Sequence, residues 1–251
     1  MTDTGLKHLR ELALRAAHTG RTQYSRFLEP SDARSAVRLA GEMRVKVVLY
    51  GGWPQAERCV AAFYTAEDPP SDADFPVQAI RIDWNARFAC PHHRDLLGAV
   101  MGLGIERDAT GDIALGEYRG LPCACLMAVR EMAPYIAQAL QSAGRASVRC
   151  CLTDEIPRIL PPEGETLRVT VQNLRLDAVS AAGYHLSRSE AQRLVSAGLV
   201  KLNHVPELRP DVRVEAGDLI SVRGYGRLKI EEEEGQSRRG RQVLRLFKYG
   251  K

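Results

Sequence analysis

Membrane-length apolar runs, disulfide spacing and enzyme signatures are all missing from this sequence, and each absence narrows what it can do. No apolar stretch approaches the roughly 18 residues of a transmembrane helix, and no N-terminal run resembles a signal peptide, so a soluble cytoplasmic protein without a membrane partner is expected. Cys59, Cys90, Cys123, Cys125, Cys150 and Cys151 have neither the spacing nor the secretory context of a disulfide framework. Most lie beside Ala, Val, Leu or Met and read as small buried hydrophobes in a reduced compartment. His93–Leu96 spell H-R-D-L, as in a kinase catalytic loop, but no Gly-rich loop, V-A-I-K lysine or D-F-G accompanies them. The C-x-H-H of Cys90, His92 and His93 and the C-x-C of Cys123 and Cys125 match no structural zinc pattern, and helix-start and core roles are expected. "GLGIERDATGD" has no G-x-G-x-x-G and follows a helix rather than a strand, so it reads as a turn. No catalytic residue, metal, cofactor or small-molecule substrate is therefore expected.

What is present points elsewhere. With 251 residues and 45% hydrophobic content the chain can bury more than one core, and a modular protein is expected. The net charge of +4 does not make it a polycation, but the distribution is uneven. From Leu174 to Lys251 there are 15 Lys and Arg against 10 Asp and Glu, whereas residues 1–173 hold 20 against 21. The positive excess belongs to the C-terminal third, which suggests a polyanion-binding face there.

Periodicity divides the chain into three. Residues 1 to about 40 read as two helices, the second opening at Ser31, followed by a strand through Val45, Val47 and Leu49, a turn at Gly51 and Gly52, and a return strand from Cys59 to Tyr64. "TAEDPPSDADFP" reads as a linker. Next come "VQAIRIDW", "PHHRDLLGAVMGLG", "GDIALGEYRG", "LPCACLMAVR", "EMAPYIAQALQSAG" and "ASVRCCLTDE", in the order β-α-β-β-α-β of a ferredoxin-like domain. RNA recognition motifs share that order and stack bases on strand aromatics. Here the third strand offers Cys, Ala, Cys, Leu and Met instead, so no standard base-stacking sheet is expected. The fold class is α+β and multi-domain: residues 1–74 as helices plus a hairpin, 75–160 as an RRM-like domain, and 172–251 as a small basic domain with an extension.

In that last part "LRLDAVSAAG" reads as a short helix ending at Gly183. In "GYHLSRSEAQRLVSAGLVKLN", Ser187 and Glu190 form a capping-box pattern, Ala191, Leu194 and Val195 make a narrow apolar stripe, and Gly198 ends the helix. Arg188, Gln192 and Arg193 then lie at the edge of the stripe or point away from it, and Lys201 and Asn203 alternate outward from the following strand. Arg175, Arg188, Arg193, Lys201 and Arg223 fall within about fifty residues, and the N–H groups at the helix start suit phosphate oxygens. Glu231–Glu234 are expected to pair with the basic turn "SRRGR", and "RQVLRLFKYGK" reads as a last strand or a tail ordered on binding.

The stretch "LRLDAVSAAGYHLSRSEAQRLVSAGLVKLNHVPELRPDVRVEAGDLISV" resembles an S4 RNA-binding domain: R-L-D, S-R-x-x-A-x-x-L, G-x-V-x-L-N and V-x-x-G-D-x-I-x-V all match, with His204 where many members have Gly. "GGWPQAERCV", "HRDLLGAVMGLGIERDATGDI" and "SVRGYGR" extend the resemblance to the YlmH-type family over nearly the whole chain. That resemblance implies a non-enzymatic, ribosome-associated RNA binder handling stalled large subunits that carry peptidyl-tRNA. Its partners would be structured rRNA and the large ribosomal subunit, with tRNA a further candidate, and the chain would act as a monomer. It carries over Arg175, Ser187, Arg188, Arg193, Lys201 and Asn203. Gln192 joins them from its position on the helix, and Arg223, Tyr225 and Arg227 by inference from the R-G-Y-G-R segment. An RNA-modifying enzyme and a protein-interaction adaptor localised by RNA are the competing readings.

Overall fold

The computed structural model describes residues 3–54 and 56–250; the remaining positions of the expected N-terminal region and C-terminal extension lie outside the described residues. It forms two compact units, Met1–Leu160 and Pro161–Lys251. In the first, α1 (Asp3–Thr19), β1 (Gln23–Leu28), α2 (Pro30–Met43), β2 (Lys46–Tyr50) and β3 (Cys59–Tyr64) make a sheet ordered β1-β3-β2 with both pairs antiparallel. Leu9, Leu12 and Ala16 of α1 and Ala36 and Leu39 of α2 recur at helical spacing and bury against Ala61 and Phe63 of β3. Gln23–Leu28 is a strand inside the segment that the periodicity reads as helix. Its polar start hides the alternation, but Ser25 and Phe27 point inward, and Ser25 Oγ accepts from the Ala61 N–H at 2.9 Å. The second helix opens one residue earlier than expected, with Pro30 at its first position, where a missing N–H costs nothing.

The same unit continues as β4 (Val77–Trp84), α3 (His93–Gly102), β5 (Thr110–Tyr118), β6 (Leu121–Val129), α4 (Ala133–Ala139), β7 (Ser142–Ala143), β8 (Ala146–Thr153) and β9 (Arg158–Ile159). The sheet order β7-β8-β4-β6-β5-β9 contains the ferredoxin-like order with one short strand added at each edge. The expected second helix is shorter than its sequence suggests, because Leu140 turns extended and Ser142–Ala143 pair with β8. Asp95 of the H-R-D-L segment accepts from the His92 N–H at 2.9 Å and closes a capping box at the start of α3.

Both faces of this sheet carry a packed apolar cluster. On one, Ile80, Ile82, Ala124 and Leu126 pack against Leu96, Val100 and Ile136 of the two helices. On the other, Ala79, Cys125, Met127 and Val129 meet Phe27, Val60, Ala62 and Phe75. The side chains of β3 are therefore buried on both faces, which explains its unbroken apolar run. The face on which RNA recognition motifs stack bases is here an internal packing surface over the Val77 and Ala79 end of β4 and the Cys125 to Val129 end of β6; at the other end Arg81, Asp83 and Tyr118 are only partly buried, the Arg81 guanidinium 4.0 Å from the centre of the Tyr118 ring. Burial pushes the Cys123 thiol up to about 11 and the Cys125 thiol up to about 12, so both stay neutral packing groups.

The second unit contains β10 (Gly164–Val171), α5 (Leu176–Tyr184), α6 (Arg188–Ser196), β11 (Val200–Leu202), β12 (Val205–Pro206), β13 (Leu219–Val222), β14 (Gly226–Gln236) and β15 (Gln242–Tyr249), with sheet order β10-β15-β14-β13-β11-β12. The last strand of the chain pairs with β10 from Gly164↔Tyr249 to Val171↔Gln242, so the C-terminal segment is a central strand rather than a tail. Leu176, Val179, Leu194 and Val195 of the helices bury against Ile220, Leu228, Ile230, Leu244 and Leu246 of the sheet. Fully burying each such side chain contributes roughly 1.5–3 kcal/mol.

Gly183 does not end α5, which runs on to Tyr184 and stops at His185, held at φ 56°. The glycine lets the helix approach the sheet: a Cβ there would lie 2.4 Å from Leu228 Cδ2 and 3.3 Å from Leu246 Cδ1. Leu228 is itself fully buried and has little room to move. Overpacking of this kind costs roughly 1–3 kcal/mol, against a helix-propensity gain of up to about 1 kcal/mol. Gly183→Ala is expected to lower the denaturant midpoint of this unit; an unchanged or raised midpoint would show that Leu228 has another rotamer available.

Candidate nucleic-acid interface

The first turn of α5 is tied to a distant loop. The Leu176 N–H donates to the Val212 carbonyl at 2.9 Å, the Asp177 N–H to that of Pro210 at 3.0 Å, and Arg175 forms a β-bridge with Arg213. This leaves Asp177 fully buried one residue into a largely apolar helix. Such a carboxylate is costly unless it is paired and hydrogen-bonded. Three long side chains satisfy it. Arg175 Nε and Nη2 donate to Oδ1 and Oδ2 at 3.3 and 3.4 Å, Arg188 Nη2 to Oδ1 at 3.1 Å, and Gln192 Nε2 to Oδ2 at 2.8 Å. Burial alone would raise the Asp177 pKa; the hydrogen bonds from Arg188, Gln192 and Arg175 and the Arg188 charge outweigh it and hold the carboxyl below its usual range.

The two guanidiniums remain partly in water, with side-chain exposures of 37% for Arg175 and 41% for Arg188. Each has five donors and uses only part of them on Asp177, so the remaining N–H groups are held in a fixed orientation and open to a second acceptor. Asp177 was missed as a site residue in the sequence. Its only local signal is an acid in the first turn of an apolar helix, which ordinarily reads as a helix-dipole partner.

α6 is built largely as its sequence suggests. Ser187 Oγ accepts from the Glu190 N–H at 3.2 Å, but the reciprocal half of the capping box is replaced: Glu190 accepts from Tyr225 Oη at 3.3 Å. This contact ties the Arg223–Arg227 segment to the start of the helix. At the other end Gly198, at φ 71°, and Leu199 donate to the carbonyls of Val195 and Leu194, a Schellman closure.

The other expected residues divide by how far the fold engages them. Arg193, Lys201 and Arg223 are exposed, and none makes an ion pair among the described residues. The Arg227 guanidinium lies 4.6 Å from the centre of the Tyr249 ring. Tyr225 is half-buried, its ring 5.9 Å from that of Tyr184. Asn203 is used inside the fold: it sits at φ 50° in a two-residue turn with His204 at φ 70°, donates to Asp218 Oδ1 at 2.6 Å and accepts from the Leu219 N–H at 2.9 Å. The turn between β11 and β12 thus adopts the left-handed geometry usual for Asn-Gly with histidine in the second place.

Among the described residues, no group of three or more His, Cys, Asp or Glu is placed to hold a metal ion, and no helix is long and apolar enough to cross a membrane. The arrangement offers oriented guanidiniums, an amide and a capped helix start, which suit anionic oxygens.

Comparison with known proteins gives the chain a family. The model described as "YlmH, N-terminal" matches residues 2–67, "Putative RNA-binding domain in YlmH" matches 70–155, and "S4 domain" matches 174–220. A curated Bacillus subtilis (strain 168) protein named "Ribosome-associated protein quality control protein P2" is 33% identical over 220 residues, covering 87% of this chain and 84% of its own length. A solved structure titled "Cell division protein ylmH from Streptococcus pneumoniae" is 22% identical, with a TM-score of 0.49 over 60% of this chain and 89% of that one. With these domain models in this order and a relative a third identical across most of both chains, the chain belongs to the YlmH family of S4-domain proteins.

Proposed function

We propose that this protein is a non-catalytic RNA binder that docks on structured rRNA of the large ribosomal subunit and acts, as a cytoplasmic monomer, on stalled complexes carrying peptidyl-tRNA. The observation that carries the reading is the convergence of Arg175, Arg188 and Gln192 on the buried carboxylate of Asp177, which orients cationic donors toward solvent. The name of the Bacillus subtilis relative, which speaks of ribosome association and quality control, supports the cellular role. Ser187, Arg193, Lys201, Arg223 and Arg227 would add phosphate contacts, Tyr225 would hold its segment to α6, and Asn203 would shape the turn beside them. Shape and phosphate contacts would dominate over base readout, because the side chains gathered here are charged forks rather than a stacking platform.

In the same reading residues 1–74, 75–160 and 172–251 are the three family segments, the first two sharing one packed unit. The partly covered sheet of the middle segment argues for RNA contact through the C-terminal unit first. An RNA-modifying enzyme is disfavoured by the roles the chemical side chains already have: Asp95 caps α3, and the thiols of Cys123 and Cys125 are buried and neutral.

The test is co-sedimentation with separated ribosomal subunits at two salt concentrations, comparing the wild type with Arg188→Ala/Arg193→Ala. Salt-sensitive migration with the large subunit, abolished in the double variant, is expected. Each phosphate that is no longer engaged should lower the slope of log affinity against log salt by roughly 0.7–0.9. Sedimentation that is equal in both proteins and insensitive to salt would overturn the proposal.

A further inference from the structure

The acidic run Glu231–Glu234 does not pair with the basic turn that follows it. Arg245 of β15 lies 3.3 Å from Glu231, 2.5 Å from Glu232 and 3.9 Å from Glu234, and Arg168 of β10 lies 2.6 Å from Glu234. These carboxylates are thus engaged by guanidiniums of the neighbouring strands, across the sheet rather than along the hairpin. Arg238, Arg239 and Arg241 at the tip are left exposed, with no ion pair among the described residues.

The tip is a closed turn rather than a loose loop. The Ser237 N–H donates to the Arg241 carbonyl at 2.7 Å, the Gly240 N–H to the Ser237 carbonyl at 2.9 Å, and the Arg241 N–H to Ser237 Oγ at 3.1 Å. Gly240 takes φ 71°, which a side chain would resist. Three guanidiniums are therefore held together on a short, anchored segment.

The position of that segment follows from strand pairing. Gln242, next to Arg241, pairs with Val171 of β10, and the chain then needs only four residues to reach Arg175 at the start of α5. Facing residues in an antiparallel pair are about 5 Å apart and four residues span at most about 14 Å, so the base of the tip is within about 20 Å of Arg175. Arg213, exposed and bridged to Arg175, stands at the start of α5 as well. At the roughly 3.4 Å spacing of a duplex strand, 20 Å corresponds to about six phosphates.

We infer that the hairpin tip, Arg238, Arg239 and Arg241, together with Arg213, is a second phosphate-contacting site that engages the same RNA as the cluster around Asp177. The inference rests on the RNA-binding reading and extends it: two anchored cationic patches within this reach of each other select a folded RNA that presents phosphates to both. A single short strand bound at the α5–α6 cluster would gain less from the tip.

The test uses the full chain and the triple variant Arg238→Gln/Arg239→Gln/Arg241→Gln, titrated against deproteinised large-subunit rRNA and against intact large subunits over a salt series. The variant is expected to bind rRNA at least tenfold more weakly, with the salt slope reduced by roughly 0.7–0.9 for each phosphate that the tip no longer engages. Its melting temperature should not change, because the substituted side chains are exposed on a turn. If the triple variant keeps wild-type affinity and slope while Arg188→Ala/Arg193→Ala abolishes binding, the tip site is overturned and the α5–α6 face stands. If the wild type does not bind rRNA, both readings fall. Weaker binding to intact subunits with undiminished binding to naked rRNA would give the tip a protein partner and overturn the assignment to RNA.

Discussion

Replacing Asp177 by alanine is expected to lower the preference for structured RNA over a flexible polyanion by about 5- to 150-fold, although the substitution makes the protein more positive. Two effects oppose each other. Removing a buried negative charge adds attraction for phosphate, about 3 kcal/mol at about 6 Å and an effective dielectric of about 20, and it does so for any polyanion. Losing the carboxylate also frees the side chains of Arg175 and Arg188, which must then be ordered on binding at about 0.5–1.5 kcal/mol each. Only the ordering cost distinguishes a structured RNA from a flexible polyanion. Binding to a flexible polyanion such as heparin should fall less than binding to rRNA, or rise, because it needs no particular orientation. Equal losses on both would refute the positioning role.

Stability should report the same carboxylate. Both arginines are more than a third exposed and can rehydrate, so a loss of about 1–3 kcal/mol is expected rather than the full penalty of a broken buried pair. Because the folded-state pKa of Asp177 is depressed, its stabilising contribution is present above the ordinary carboxylate range near about pH 4 and is lost as pH falls through the folded value. Asp177→Asn, which keeps the shape and one acceptor oxygen, should flatten that acid dependence. An identical pH profile in both proteins would mean that Asp177 is not the titrating group.

Arg58→Ala is expected to have the largest effect on stability, about 3–5 kcal/mol, confined to the first unit and due to buried acceptors losing their donor and to the void left by the stem rather than to the ion pair, since Glu29 is 55% exposed. Arg58 is buried at the junction of the N-terminal and middle segments. Nε donates to the Thr110 carbonyl at 3.0 Å and Nη2 to that of Arg107 at 2.9 Å, Nη1 pairs with Glu29, and its backbone N–H donates to Asp112 Oδ2 at 3.1 Å. Burial, with the nearby Arg107 charge, lowers its pKa to about 10, so the cation is held against a desolvation cost and still protonated at neutral pH. Truncation would leave the Thr110 and Arg107 carbonyls without this donor and open a void. For a unit of this size about 1 kcal/mol corresponds to roughly 2–4 °C, so calorimetry should show the first-unit transition lowered by about 6–20 °C. Arg58→Met, which keeps the stem without the charge, should cost less. A transition unmoved by Arg58→Ala would show that the junction is held by the apolar contacts of Phe27, Val60 and Met127 alone.

The features legible in the sequence are those decided within a few residues. The β-α-β-β-α-β order follows from hydrophobic period, the start of α6 from Ser187, and its end from Gly198, whose left-handed backbone needs no distant partner. The basic bias of the C-terminal third and its S4-like pattern are likewise properties of the chain read in order. Where a distant group decides, the reading fails or stays silent. β1 and β10 are strands because β3 and β15 lie beside them. Gly183 lies inside α5 to let Leu228 approach rather than to end the helix, and Glu190 turns to Tyr225 instead of closing its own cap.

The sequence alone determined the order of most helices and strands by period, which third of the chain carries the cations, and which family the motifs resemble. Tertiary structure decided what those residues do together. It covered one end of the sheet face that an RNA recognition motif would expose, and it gathered Arg175, Arg188 and Gln192 on one buried carboxylate. It also engaged the acidic run from neighbouring strands and left the hairpin arginines open. The reason is physical: periodicity and capping act over one or two helical turns, whereas desolvation and ion pairing depend on which side chains the completed fold brings within a few ångströms.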